Sequence, residues 1–521
     1  MRALTVPRLV LVVAACLVAA TAFSSFRGED WLNFEQCLPS LSHWHRTVFE
    51  YRFVGFFRPL WDFYVGATFR LFGLHPWPHT ALQLALFGLH AVLLAWIVRL
   101  RGGERATAWA VAAALLVQAN AYAWTVLWIS NSTGSLLATF TLSALVCHHR
   151  AVVAAGRGRP VVTDMVMAAL ATAAAGMVKE EVLLLPLTLL ALELPRWGRL
   201  SAAERRVAIG SWLVVSGVVA AYLVFRFAVA PPHLSDYRGR YAVRLGPNWV
   251  SNLPFFGLHL LPLPAAAALM SRWVFPRAWT TTAHQDDPAG FGRMRAEMLA
   301  GALWLIVSLQ LYLPITGHGY GYLYVPAMAV ALAVGPALSW AATTARGAGR
   351  DAAVVLAPYA LAAMVVTGAG LGVNGWFRYG RITRETFAAL DAAMPTPTPG
   401  ARFVFLDPLE RETLAGRSLF NMVFDNCASS MVRLHFRRDD LDAVQIEGPA
   451  ARAAAESLGA PRALWAQRSL GQAALPPPDS RQADPDMLRA AKAVFFVREG
   501  HLTLIRLAQR DGRAGGTMRS P

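Results

Sequence analysis

Residues 78–98 read PHTALQLALFGLHAVLLAWIV, and RLRGGER (99–105) follows directly. A helix of that length rises roughly 30 Å, the thickness of a bilayer's hydrocarbon core. No charged side chain interrupts it, and Arg99, Arg101 and Arg105 close it. Mostly apolar runs recur near 6–25, 106–124, 133–148, 161–178, 181–195, 207–230, 249–271, 296–315, 322–340 and 352–374. The chain is therefore predicted to be mainly α, a polytopic transmembrane bundle of about eleven spans. Composition agrees: 55% of residues are hydrophobic and 15% charged, against about 25% charged in soluble domains. The run at 6–25 begins like a secretory signal, but its length and the many spans after it favour a retained helix.

Net charge +16 would suggest nucleic acid in a soluble protein. Here the arginines sit in short loops, which is how charge sets membrane orientation, and no nucleic-acid partner is expected. With the N-terminus inside, alternate loops hold Arg99, Arg101 and Arg105; Arg150, Arg157 and Arg159; Arg196, Arg199, Arg205 and Arg206; Arg272, Arg277, Arg293 and Arg295; and Arg346 and Arg350. His148 and His149 read as part of that inner-loop charge. An odd number of spans leaves the C-terminus outside. The expected location is a bacterial inner membrane, multi-pass, with the tail in the periplasm.

The text changes after residue 375. Residues 1–375 form the predicted membrane domain, with a long outer loop at 26–77, and 376–521 a small α/β domain. RFVFLD (402–407) and AVFFVREGHLTLI (493–505) read as strands, the second turning at Glu499-Gly500. ETLAGRSLFNMVFDN (412–426) suits a helix. The four cysteines form no CxxC or zinc pattern.

Ionisable residues at membrane depth mark a function or a buried partner. Several fall on the outer side: Glu29 and Asp30 in FRGEDW; Arg58 in FFRPLW; Lys179, Glu180 and Glu181 in MVKEEV; and His318, Tyr320, Tyr322 and Tyr324 in ITGHGYGYLYV. Their convergence from distant segments points to a site. Each also has a plainer reading. Glu29 and Asp30 suit a solvated helix end, Arg58 a snorkelling cation, the Lys-Glu-Glu run a helix-pairing salt bridge, and the tyrosines an interfacial belt. Lys179 gains weight because only it and Lys492 are lysines among 48 basic residues. Together the groups suit transfer from an anionic lipid carrier. A carboxylate can take the proton of an acceptor hydroxyl, and Arg and Lys can neutralise the leaving phosphate.

Five segments then carry a family resemblance. FFRPLWDFYVGATFRLFGLHPW (56–77), FGLHAVLLA (87–95), LWISNSTGSLLATFTLSAL (127–145), MVKEEVLLLPLTLLALEL (177–194) and GYLYVPAMAVALAV (321–334) follow one another. In that order they resemble the GT-C class of polyprenyl-phosphate-sugar glycosyltransferases. The branch is that of the transmembrane O-mannosyltransferases, here without tetratricopeptide repeats. The resemblance implies that Glu29-Asp30 supplies the catalytic carboxylate and that Arg58 and Lys179 meet the lipid phosphate. His318 and Tyr322 would assist at the phosphate, with Glu180, Glu181 and Tyr320 in support. Two positions depart from the family's pattern. The acidic pair is Glu-Asp rather than a double aspartate, and Gly321 stands where the family has Arg, leaving the role to His318 or Tyr320.

The function expected is inverting transfer of a hexosyl or pentosyl unit from a polyprenyl-phosphate-linked donor. Its acceptor would be periplasmic: an envelope glycan, a lipid or a protein. No cofactor or metal is expected, although a divalent ion is compatible. A non-enzymatic transporter or flippase of a lipid-linked component is the alternative. Such a protein should show internal repeats and midplane charges; here no repeat is evident and the charges lie at the outer edge. A membrane scaffold acting through its tail is a third reading. The topology is directly testable. A fluorescent reporter that matures only in the cytoplasm, fused after Arg381, is expected to stay dark, and fluorescence there would mean that a span has been miscounted.

Overall fold

Every apolar run that the structure describes is helical, as a backbone without water to bond must be. The structure is a computed structural model. It describes residues 25–38, 42, 57–116, 118, 125–226, 246–260, 288–314, 320–347, 376–407, 419–424, 427–458, 488, 490–498 and 501–507. The chain divides into two compact units: Met1–Ala22 with Cys37–Leu371, and Phe23–Gln36 with Gly372–Pro521.

The helices begin with α1 (Asp30–Cys37), α2 (Pro59–Phe72), α3 (Pro76–Leu100), α4 (Arg105–Leu116), α5 (Ser132–Gly156) and α6 (Val162–Gly176). There follow α7 (Leu185–Glu193), α8 (Ala202–Val224), α9 (Pro247–Leu260), α10 (Pro288–Leu309) and α11 (Tyr324–Gly347). Pro59 and Pro76 open α2 and α3, where a missing N–H costs nothing. Ser201 and Glu204 close a capping box on α8: Glu204 N–H donates to Ser201 Oγ at 3.3 Å, and Ser201 N–H to Glu204 Oε2 at 2.7 Å.

Four described helices are long and apolar enough to span a bilayer: Pro76–Leu100, Ile129–Gly156, Ala202–Val224 and Gly321–Trp340. Arg105–Leu116 and Val162–Gly176 are shorter apolar helices. The expected spans at 6–25 and 352–374 lie outside the described residues. The stretch 181–195, expected as one span, is broken into a 3-10 turn (Glu180–Leu184), α7 and a second 3-10 turn (Leu194–Arg199). Pro186 and Pro195 account for the breaks, since each removes a helical donor.

Burial ranks the spans. The apolar window of Gly321–Trp340 is 72% buried and that of Ala202–Val224 only 22%, so α11 is central and α8 peripheral, with Leu213 and Val224 turned outward. Small residues let α11 approach its neighbours, the usual device where lipid gives no hydrophobic drive between helices. A Cβ on Gly335 of α11 would lie 2.5 Å from Val111 Cα of α4, and one on Gly301 of α10 would lie 2.7 Å from Ala333 Cα of α11.

Buried polar ties cross the packing. Arg101 Nε donates to Glu297 Oε2 at 2.8 Å and Arg101 Nη1 to the Leu192 carbonyl at 2.7 Å, joining the C-terminal ends of α3 and α7 to the middle of α10. His148 and His149, expected as loop charge, are instead fully buried in α5. Their Nε2 and Nδ1 atoms each lie 3.0 Å from Glu193 Oε1, and His148 Nδ1 lies 3.0 Å from Ser211 Oγ on α8. The helix runs about two turns further than the expected span at 133–148 and carries both rings inside.

In the second unit, α12 (Trp376–Ala393) leads to β1 (Arg402–Asp407), α13 (Leu419–Phe424), α14 (Ala428–Phe436), β2 (Asp442–Glu447), α15 (Gly448–Ser457), β3 (Ala493–Arg498) and β4 (His501–Leu507). The sheet order is β2-β1-β3-β4, with β1 parallel to both neighbours and β4 antiparallel to β3. Central β1 is buried on both faces: Val404 and Leu406 pack with Ile446 and Ala451, while Phe405 stacks on Phe495 at 5.7 Å. The segment after residue 24 belongs here. Trp31 Nε1 donates to the Val423 carbonyl at 3.0 Å, Arg433 Nη1 to Glu35 at 2.9 Å, and Phe26, Trp31 and Phe34 are wholly buried.

The contact of Gly335 with backbone leaves a larger side chain nowhere to turn. Gly335→Leu is expected to cost on the order of 3 kcal/mol or more, beyond ordinary overpacking. Detergent-solubilised variant should elute as aggregate in size-exclusion chromatography; a monodisperse peak at normal yield would refute the close packing.

Candidate functional site

The KEE sequence at 179–181 builds a rim of the first unit. α6 ends at Gly176, and Lys179 takes extended backbone (φ −162°, ψ 147°) before the 3-10 turn begins. Successive side chains of a 3-10 turn stand about 120° apart, so the two glutamates face different ways. Glu181 turns inward and forms an ion pair with Lys179, the side chains only 7% and 12% exposed. The Tyr312 hydroxyl also donates to Glu181. Glu180 turns outward to Arg58, with Arg58 Nη2 3.5 Å from Glu180 Oε2 and the side chains 18% and 28% exposed.

Arg58 is the N-cap of α2, and that first turn is fixed in place. Leu60 N–H donates to the Met177 carbonyl at 3.1 Å, and Trp61 Nε1 to Ser132 Oγ at 2.8 Å. Lys179 is held from a second side. Its Nζ lies 5.3 Å from the centre of the Tyr322 ring, which stacks on Tyr312 at 4.9 Å; Tyr312 stacks in turn on Phe256 at 6.1 Å. A cavity of about 20 Å³ beside Glu181 and Tyr312 is also lined by Thr141, Thr188 and Ser308, enough room for one water.

Tyr324 is no interfacial residue: it is 1% exposed. Its hydroxyl lies 2.6 Å from His90 Nδ1, while His90 Nε2 lies 2.8 Å from Thr139 Oγ1. The Thr139 hydroxyl donates to the Ser135 carbonyl at 2.9 Å, so it must accept from His90 Nε2–H. Tyr324 then donates to Nδ1. This fixed chain ties α3 to α5 and roots α11 two residues after Tyr322.

The sequence thus placed Arg58, Lys179, Glu180, Glu181 and Tyr322 on one rim, where the structure brings them together. His318 lies outside the described residues, and only the backbone of Tyr320, in a 3-10 turn, is described. Glu29 and Asp30 fall in the second unit. Asp30 is fully buried and its Oδ2 accepts Arg27 N–H at 3.0 Å; Glu29 is half-buried, its carbonyl accepting Asn33 N–H at 2.8 Å. Arg27 lies over the Tyr379 ring at 5.2 Å. Tyr312, Asn131 and His90 were not anticipated. Tyr312 had a signal, an aromatic beside the loop that carries Tyr322, whereas Asn131 had none.

Asn131 explains Gly321. A Cβ there would lie 2.8 Å from Asn131 Nδ2 and 2.9 Å from Oδ1, so the amide fills the space into which a side chain at 321 would start. The two cations also differ in kind. An ion pair partly open to water contributes roughly 0–1 kcal/mol, whereas stripping a buried one of a partner costs about 3–5 kcal/mol. Lys179 is locked, and Arg58 is the cation an incoming anion can win. Among the described residues, His148, His149 and Glu193 form a group of metal-ligand types. Arg196 already donates to both Glu193 oxygens at 2.6 and 2.7 Å and lies 3.1 Å from His149 Nδ1, so a guanidinium takes the cation's place.

The Asn131–Gly321 approach yields a double-mutant test. Gly321→Ala is expected to lower thermal stability, Asn131→Ala to relieve it, and the coupling to be on the order of 1 kcal/mol. Additive effects would show that the two residues do not touch.

No family profile matches the chain, and no curated protein matches it by sequence. Two solved structures resemble it. ArnT from Cupriavidus metallidurans in the apo state aligns with TM-score 0.51 and 16% identity, over 84% of this chain and 85% of that one. The same protein bound to undecaprenyl phosphate aligns with TM-score 0.48 and 17% identity, over 86% and 87%. At such identity the apo match speaks for the fold. The polytopic membrane fold of this chain is that of ArnT, a GT-C protein, as the sequence resemblance implied.

Proposed function

We propose that the chain is an inverting membrane glycosyltransferase that moves a sugar from a polyprenyl-phosphate donor to an acceptor on the periplasmic side of a bacterial inner membrane. The observation that carries this reading is the rim itself. Arg58 and Lys179, brought together from distant segments, stand with one carboxylate each on one rim of the first unit, in a chain folded like ArnT. Guanidinium binds phosphate oxygens in pairs, and an ammonium fixed nearby adds charge without reorganising.

In the transfer, an acceptor hydroxyl attacks the anomeric carbon. The new C–O bond forms as the C–O bond to phosphate breaks, and polyprenyl phosphate leaves with the electron pair. Asp30 or Glu29 takes the hydroxyl proton, and Arg58 and Lys179 stabilise the charge that grows on the phosphate. A single displacement inverts the anomeric centre. Tyr322 and the aromatic column behind it keep Lys179 in place, Glu181 holds its charge, and Glu180 occupies Arg58 between substrates. His318 and Tyr320 complete the proposed phosphate side. The acceptor is an envelope glycan, a lipid or a protein.

Two substitutions test the reading. Asp30→Asn should lower transfer per folded molecule about 10²–10⁴-fold, the usual worth of a positioned acid–base group, while its amide oxygen still accepts the Arg27 N–H. Arg58→Gln should raise the KM for the lipid donor about ten- to a hundred-fold, as charged hydrogen bonds are lost. Lys179→Met strands Glu181 and must be judged against folded yield. Transfer that survives both Asp30→Asn and Glu29→Gln, measured with a radiolabelled polyprenyl-phosphate sugar, would end the glycosyltransferase reading.

A further inference from the structure

The two neighbouring carboxylates at 180 and 181 are built for opposite fates. Glu181 is enclosed with Lys179, Tyr312 and Tyr322, and its departure would leave an ammonium buried without its partner. Glu180 meets Arg58 at 3.5 Å through one guanidinium nitrogen, with 28% of its own side chain exposed. A phosphate offers Arg58 two parallel hydrogen bonds where Glu180 makes one long one. Among the described residues the rim carries two cations and two carboxylates, whose charges sum to zero. An anionic headgroup therefore gains a cation only by exchange, and Arg58–Glu180 is the pair that opens at small cost.

Resting on the glycosyltransferase reading above, we infer that Glu180 is a displaceable internal anion of the phosphate subsite: it holds Arg58 while the subsite is empty, yields it to the phosphate of the lipid, and takes it back when the spent lipid leaves. Glu180 thus tunes the affinity of the subsite. It sets how strongly an anion must compete to enter and keeps the product phosphate from being held too well. Its neighbour Glu181 cannot share the role, because the 3-10 turn points it the other way. An uncharged lipid takes no part in the exchange, so Glu180 weakens the hold on phosphorylated polyprenols alone and leaves free polyprenols untouched.

The test is binding of farnesyl phosphate, with farnesol as control, to the full chain in nanodiscs. Glu180→Gln keeps the shape and removes the charge at a half-exposed position. A pair worth what an exposed ion pair usually is worth weakens a competing ligand about two- to six-fold. Glu180→Gln is accordingly expected to tighten farnesyl phosphate binding by that factor and to leave farnesol unchanged. In an Arg58→Gln background the same substitution should have no effect, because the contest over the guanidinium is gone. Wild-type binding that Arg58→Gln weakens but Glu180→Gln leaves unchanged or weakens overturns the exchange alone. Wild-type binding that is absent, or that ignores Arg58→Gln, overturns the phosphate-site reading and the exchange with it. A melting temperature for each variant separates loss of the fold from either result.

Discussion

Charge next to hydrocarbon has to be matched, and the Lys179–Glu181 pair shows what the matching builds. An ammonium at that depth needs a carboxylate, the carboxylate needs a further donor, and Tyr312 supplies it. Tyr312 stacks on Tyr322, which covers the lysine again. One desolvated pair thereby joins the turn after α6 to the residues ahead of α11. The same rule governs the other end of α5, where Glu193 gathers Arg196, His148 and His149, and the end of α3, where Arg101 meets Glu297. Between them lies the neutral chain Tyr324–His90–Thr139, whose directions are set by one threonine that donates to its own helix.

Much of this was legible in the residues. Apolar length gave the helices, and the rarity of lysine gave Lys179 its weight. Segment order gave a resemblance to the GT-C class, and the chain folds like ArnT. Two other features of the text misled. Pro186 and Pro195 were present in the run read as a single span, yet hydrophobicity outweighed them there, and the helix is broken. His148 and His149 look like loop charge beside Arg150, because a sequence cannot show that Glu193 and Ser211 will arrive to satisfy them. The strand β2, DAVQIE, has a half-polar pattern that reads as neither strand nor helix, and only pairing with β1 decides it.

Gly321 is a different sort of lesson. In the text it is an absence, the family's arginine missing. In space it is an occupancy, since the Asn131 amide stands where that side chain would begin. The cause lies 190 positions upstream, on the 3-10 turn before α5, and no local pattern connects the two.

The membership of the second unit has a bearing on how the protein is made. Residues 25–36 leave the ribosome several hundred residues ahead of the strands and helices that bury Phe26, Trp31 and Phe34. Throughout synthesis of the intervening chain this aromatic segment has no partner of its own unit. Its burial closes a loop of several hundred residues, a slow and entropically costly step for any chain. Until then the aromatic side chains Phe26, Trp31 and Phe34 lack the packing that buries them in the finished unit, and unburied aromatics are prone to misassociate. Truncation anywhere before α12 would leave those aromatics without their partners permanently.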